Sequence, residues 1–345
     1  MLTGRNVIFA TLALAIGIWS SAAFASEKVK IGVLGSVSDV GLFVAQDNGY
    51  FKDEGIEAEI ELFDSAAKMI APLGAGQLDI GGGAGAVGLY NAIDRGIPIK
   101  MVADKGRTAP GYGYQQFLVR KDLIDSGKFK SFADLKGLKV AILGQGIGDE
   151  SVLNELLKKG GRAFGDVERT YLNLPQQMAA FQNRGIDAAI SVEPLASAIV
   201  KSGAAVRFAT TDEIVPNFQA GVLLSGGPFT TKRADVARKF VKAYVRGVRF
   251  YNDSLKDGKI AGPNAEAVIA TLVKHSRVKN PDMLREMVAV AIDPDGQINT
   301  DSLRRDWQFF VEQGWTKGPV AVDKVVDLSF LKEADKALGA YKPKK

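Results

Sequence analysis

The sequence predicts an α/β protein built as two topologically related lobes. Two observations carry this. Short apolar, β-branched stretches alternate with helical stretches along most of the chain, separated by glycine turns. One helix-to-strand unit also echoes another. Ser65–Gly83 (SAAKMIAPLGAGQLDIGGG) aligns without gaps with Asn173–Ser191 (NLPQQMAAFQNRGIDAAIS), each reaching a strand that carries an aspartate, Asp79 or Asp187. At 345 residues, 46% hydrophobic and 24% charged, the chain is long enough for two such units with real cores.

The elements follow in order. Met1–Ala25 reads as a cleavable secretory signal: Arg5, the apolar run Val7–Trp19, then Ala23-Phe24-Ala25 as an A-x-A site, giving a mature start at Ser26. The run rises only about 20 Å, short of the ~30 Å hydrocarbon core. Val29–Leu34 is a parallel-type strand, and Val40–Asn48 a helix stopped by Gly49. Ile56–Phe63 alternates apolar and acidic residues, as a strand with one wetter face does. Ser65 caps a helix to Ala75, and Gln77–Gly81 is a strand. The turn Gly81–Ala86 opens helix Val87–Asp94, and strand Ile99–Ala103 precedes a Gly- and Tyr-rich loop, Lys105–Tyr114.

Strands are then expected at Gln116–Val119, Lys139–Leu143, Arg169–Leu172, Asp187–Ser191, Val206–Ala209 and Gly221–Leu224. Helices are expected at Glu150–Lys159, Gln176–Asn183 and Pro194–Lys201. Beyond Ala234 the pattern is helical. Phe240, Tyr244 and Tyr251 mark a core stripe, followed by helices near Pro263–His275, Met283–Ala291 and Asp301–Gln313.

Composition narrows the chemistry. Without cysteine there are no disulfides, thiol nucleophiles, thiolate metal sites or lipid-bearing cysteines. A single histidine, His275, leaves little room for a Ser–His–Asp triad or a multi-histidine metal site. The net charge of +5 is spread over 44 basic and 39 acidic residues, which is a solvated surface and not a nucleic-acid patch. No phosphate-loop or dinucleotide fingerprint is present.

What remains is a set of strand-ending turns. Ser36–Ser38, Gly83-Ala84-Gly85-Ala86 and Gly144–Gly148 each present backbone N–H groups to a polar or anionic ligand, or are simply tight turns. Glu193, before Pro194, is either a cleft residue or a helix-start carboxylate. Tyr112 and Tyr114 lie in a loop, where exposed aromatics more often bind than pack. Lys105 and Arg107 are the nearest cations. Asp79 and Asp187 read as structural turn residues.

Five stretches then resemble a known family: Gln46–Ile56 (QDNGYFKDEGI), Gly74–Gly81 (GAGQLDIG), Asp134–Val140 (DLKGLKV), Gly185–Ala189 (GIDAA) and Glu193-Pro194. In this order they are similar to the periplasmic substrate-binding proteins of ABC importers, in the group for sulfonate, nitrate, taurine and thiamine-precursor pyrimidines. Arg184 departs from it, standing where the family usually has the glycine that matches Gly76. The resemblance implies a type II periplasmic binding protein fold, each lobe a mixed sheet flanked by helices, with the cleft between them. Lobe 1 would comprise 26–117 plus 221–345 and lobe 2 would comprise 118–220, joined by crossing strands near Gln116–Arg120 and Gly221–Leu224. It places ligand contacts at Ser36, Val37, Ser38, Ser65, Ala66, Gly83, Ala84, Gly85, Gln145, Gly146, Ile147 and Glu193, to which Tyr112 and Tyr114 are added from the loop reading. The function implied is capture of a small organic ligand in the periplasm by a monomer that needs no cofactor, metal or nucleic acid. Delivery would be to an ABC permease and ATPase complex. The alternatives are a binding protein feeding a sensor kinase and an enzyme like the pyrimidine-forming members.

Overall fold

The computed structural model describes residues 26–316, 318 and 322–344; Met1–Ala25, expected to be a signal segment, lies outside the described residues. Ten strands build two five-stranded mixed sheets among these residues: β1 Glu27–Val33, β2 Ile56–Leu62, β3 Ile80–Gly83, β4 Ile99–Arg107, β5 Gln115–Arg120, β6 Lys139–Ile142, β7 Glu168–Tyr171, β8 Ala188–Val192, β9 Ala205–Thr210 and β10 Gln219–Gly226. One sheet has the order β2-β1-β3-β10-β4, the other β7-β6-β8-β5-β9.

The orders are equivalent. In each sheet one strand runs against the rest: β10 is antiparallel to β3 and β4, and β5 is antiparallel to β8 and β9. Every other strand therefore ends on the same edge of its sheet, where strand-ending turns collect ligands in open α/β folds. The chain passes from one sheet to the other between Arg107 and Gln115 and returns between Thr210 and Gln219. The boundaries expected after 117 and 220 fall inside β5 and β10.

The internal echo has a physical basis. The Asp79 carboxylate accepts the Lys30 N–H of β1 at 3.0 Å and pairs with Arg233 at 3.1 Å. Asp187 accepts the Lys139 N–H of β6 at 2.9 Å and pairs with Arg120 at 2.8 Å. Each aspartate pins the backbone of the neighbouring parallel strand, at the middle of β1 and at the first residue of β6. Gly76 and Arg184 occupy matching turns, and both adopt positive φ, +70° and +60°. Arg184 thus holds a conformation that costs a non-glycine residue roughly 1 kcal/mol.

The long helix Ala234–Asn252 buries Phe240, Tyr244 and Tyr251 completely, as its stripe implies. Tyr244 and Tyr251 donate their hydroxyls to the carbonyls of Asp104 and Val290 at 2.6 and 2.7 Å, so their polar ends are satisfied in the core.

Three readings change. The expected helix Met283–Ala291 is helical only over Pro281–Glu286. Its buried remainder, Met287–Ala291, runs on to bridge Arg107, whose N–H donates to the Ala291 carbonyl at 2.8 Å. The loop expected from Lys105 begins later, because β4 continues to Arg107 against β10. The helical pattern beyond Ala234 extends to a further helix, Ser329–Leu338, for which the sequence assigns no separate bounds.

Helix Thr300–Glu312, from the C-terminal region, packs between the two sheets' flanking layers. Phe309 meets Phe164 edge-on at 4.9 Å between ring centres, and Phe310 lies 6.4 Å from Tyr90. A continuous apolar seam thus links the two halves.

Candidate binding cleft

The turn after β1 is built around a buried ion pair. Lys105 Nζ stands 2.8 Å from Asp39 Oδ1 and donates to Ser38 Oγ at 2.7 Å; the lysine is 3% exposed and the aspartate not at all. Asp39 Oδ2 accepts the Ser36 N–H at 2.8 Å and its hydroxyl at 3.1 Å, and the Ser36 and Ser38 hydroxyls lie 2.9 Å apart. Val37 is buried beneath. The pair fits because β3 passes close by as glycine. A Cβ on Gly82 would stand 3.0 Å from both Asp39 Oδ1 and Lys105 Cε. The result is a hydroxyl-bearing turn over a neutralised cation.

Gly83, Ala84 and Gly85 follow at the end of β3. Gly83 lies against Leu224 and Ala66, which brings the half-buried Ser65 and Ala66 at the start of the Ala67–Ala75 helix to the same place. The turn after β6 meets them from the other sheet. Gly146, at φ +69°, accepts the Val87 N–H at 2.9 Å, and a Cβ there would come within 3.0 Å of Val87. Its own N–H donates to Glu150 Oε2 at 2.6 Å, and Glu150 Oε1 accepts the Tyr171 hydroxyl at 2.9 Å. Burial raises the Glu150 carboxyl above its ordinary range. Gln145 is exposed and Ile147 half-buried at the same turn. The turns from the two sheets therefore converge on one interface.

Glu193, Tyr112 and Tyr114 are placed differently. Glu193 is 2% exposed and its carboxylate is occupied: Gln116 Nε2, the Ser197 N–H and hydroxyl, and the Val288 N–H all donate to it. It anchors the Leu195–Lys201 helix and ties the Met287–Ala291 stretch to the second sheet. Three of these donors share Oε1 and the Ser197 N–H alone reaches Oε2, so the carboxylate holds the helix start and keeps acceptor capacity at Oε2. Tyr114 is 8% exposed within the main apolar core, and burial raises its hydroxyl pKa. It is not an exposed loop aromatic. Tyr112 is half-buried and lines a separate cavity of about 380 Å³ with Arg107, Asn252, Ile292 and Tyr341. His275 contacts Asp47 Oδ1 at 2.8 Å and stacks on Phe43 at the end of its helix. Arg107 is spent on Asp104 and Asp293.

Sequence reasoning missed several residues. Asp39 carries no motif, and its role emerges only when β4 brings Lys105 beside it. Arg277 donates to the Leu34 carbonyl at 2.9 Å and leaves an exposed guanidinium behind the Gly35–Ser38 turn. Two buried carboxylates lie at the start of the Gly148–Lys159 helix. Asp149, which accepts from Gln115 Nε2 at 2.6 Å, is pushed by burial up to about 6. Asp306, reaching over from helix Thr300–Glu312 to within 3.0 Å of where a Gly148 Cβ would stand, is pushed by burial up to about 7.

Both pKa values are raised in the folded state, so the native protein holds these protons more tightly than the unfolded chain. Their contribution to stability is greatest below about pH 4 and is lost as pH rises to about 7. Asp306→Asn removes the larger part of that dependence. Thermal unfolding followed from pH 5 to pH 8 should show a smaller fall in Tm for the variant than for the parent chain. An equal fall in both would assign the dependence elsewhere.

Comparison with known proteins follows the same geometry. Residues 37–254 match the family model described as NMT1/THI5 like. The taurine-binding periplasmic protein of Escherichia coli (strain K12) is 26% identical over 342 residues, covering 97% of this chain and 94% of that protein. The alkanesulfonate-binding protein SsuA from Xanthomonas axonopodis pv. citri, solved bound to MOPS, superposes with a TM-score of 0.67 at 19% identity, covering 88% of this chain and all of that one. The periplasmic nitrate-binding protein NrtA from Synechocystis PCC 6803 gives 0.71 at 15% identity, covering 91% and 89%. These structures share the two-lobed binding-protein fold.

Proposed function

Since the chain belongs to the NMT1/THI5-like family, we propose that it is a periplasmic solute-binding protein that holds a small organic ligand between its lobes and hands it to an inner-membrane ABC permease and ATPase. The signal would be cleaved after Ala25 on export, and the two lobes, between which the chain passes at 107–115 and 210–219, would close on the ligand as a monomer. One observation carries the reading: the Ser36–Ser38 turn, the Gly83–Gly85 turn and the Gly146 turn, from two equivalent sheets, meet at a single interface.

The chemistry of that interface favours an organic molecule with a polar head over a bare inorganic anion. The nearest lysine is already neutralised by Asp39, so a compact anion finds the Ser36 and Ser38 hydroxyls and no uncompensated buried cation. The relatives that bind taurine and alkanesulfonates fit this class. Catalysis is not part of the reading: the chain has no cysteine, and His275 is committed to Asp47.

A thermal-shift panel of sulfonates, carboxylates and heterocycles tests it. A true ligand at ~100 times its Kd stabilises the fold by about 2.7 kcal/mol, and Ser38→Ala should weaken that ligand. A panel without a single shift, or a shift that Ser38→Ala leaves intact, would count against the site.

A further inference from the structure

Three large apolar side chains are markedly exposed among the described residues: Leu62 (57%), Tyr171 (41%) and Val311 (41%). Two of them occupy equivalent places. Leu62 is the last residue of β2, the edge strand of the first sheet, and pairs with Val33 at the end of β1. Tyr171 is the last residue of β7, the edge strand of the second sheet, and pairs with Ile142 at the end of β6. Val33 and Ile142 each lead directly into a cleft turn. Each exposed side chain therefore flanks the turn of its own lobe, on the edge remote from the passages between the sheets.

Both are held in place. Leu62 Cδ2 lies 2.9 Å from where a Cβ on Gly35 would stand, so it packs on the backbone that opens the Ser36–Ser38 turn. The Tyr171 hydroxyl is bound to Glu150, whose other oxygen holds the Gly146 N–H, and Gly146 in turn accepts from Val87 of the first lobe. The Tyr171 hydroxyl is thereby spent within the protein and its ring is left open to solvent. An amphipathic side chain normally presents its polar end to water; here the arrangement is reversed.

Resting on the proposed binding function, we propose that Leu62 and Tyr171 grip the apolar body of the ligand at the mouth of the cleft, one from each lobe, while its polar head sits at the Ser36–Ser38 and Gly83–Gly85 turns. The ligand class is then an organic molecule with a polar head and an aryl or extended alkyl body. Tyr171 and Leu62 set the preference for that body, and the turns set the preference for the head.

Calorimetric titration with methanesulfonate, butanesulfonate and benzenesulfonate, and with acetate and benzoate, tests this on the mature chain. The butyl or phenyl member should bind about tenfold more tightly than its methyl counterpart, a gain of the size expected for a desolvated alkyl or aromatic contact. Tyr171→Ala and Leu62→Ser should each erode that ratio several-fold; Tyr171→Phe, which keeps the ring, should retain it. Both residues are exposed, and Leu62→Ser keeps the test open if Tyr171→Ala disturbs the Glu150 contact. Binding in which the ratio is near one, or is unmoved by both substitutions, overturns the inference and leaves the binding function standing. Unchanged ratios with loss of uptake in cells would assign the two side chains to the transporter and equally overturn it. No binding by any member of either series would overturn both.

Discussion

Lys105→Met lowers the stability of the folded chain by about 3–5 kcal/mol, the cost of stranding a buried charge without its partner. Asp39 is fully buried, and Lys105 Nζ is the cation within 2.8 Å of its Oδ1. Removing the ammonium leaves a carboxylate held by Ser36 alone at one oxygen and unsatisfied at the other. The Ser36–Ser38 turn loses the donor to Ser38 at the same time, so ligand affinity should fall with stability. Adding Asp39→Asn to the variant removes the stranded charge and should recover most of the loss. Denaturant unfolding of the three chains checks this. A loss below 1 kcal/mol for Lys105→Met, or no recovery in the double variant, would mean that the pair is not the support of the turn.

Phe309→Ala should cost about 3–5 kcal/mol as well, through the cavity it leaves. The ring is 4% exposed and lies edge-on to Phe164, with Trp315 5.6 Å away. Its position gives the loss a particular form. Phe309 sits on a helix from the C-terminal region, whereas Phe164 lies between β6 and β7 of the second sheet. The substitution therefore weakens the seam between the halves as well as one core, and unfolding should lose cooperativity and separate toward two transitions in calorimetry. A single transition as sharp as the parent's would show that the seam does not couple the halves.

The features that could be read from the sequence are those set by nearby residues. Strand alternation in Ile56–Phe63, the glycine turns and the paired helix-to-strand units all follow from local periodicity. Asp79 and Asp187 proved structural as read, since each bonds the adjacent strand and an arginine. Contacts between distant segments stayed out of reach. The partners Gln116 and Val288 that engage Glu193 lie far away in the chain. Tyr114 looked exposed between glycines, yet the core closes over it. Tyr171 looked like any strand residue; only the edge position of β7 leaves its ring in solvent. Met287–Ala291 has helical spacing, and its pairing with Arg107 overrides it.

The account turns on a ligand held where the Gly146 turn of one lobe meets Val87 of the other. Titration calorimetry of the mature chain and of Gly146→Val tests it most directly. Gly146 has φ +69°, and a Cβ there already crowds Val87 at 3.0 Å, so valine both strains the turn and wedges the interface apart. With the tightest ligand from the panel, the parent chain should bind one equivalent and Gly146→Val should bind at least tenfold more weakly, by holding the turns apart. Equal affinity in the two chains, with the variant folded, would place the ligand somewhere other than this cleft.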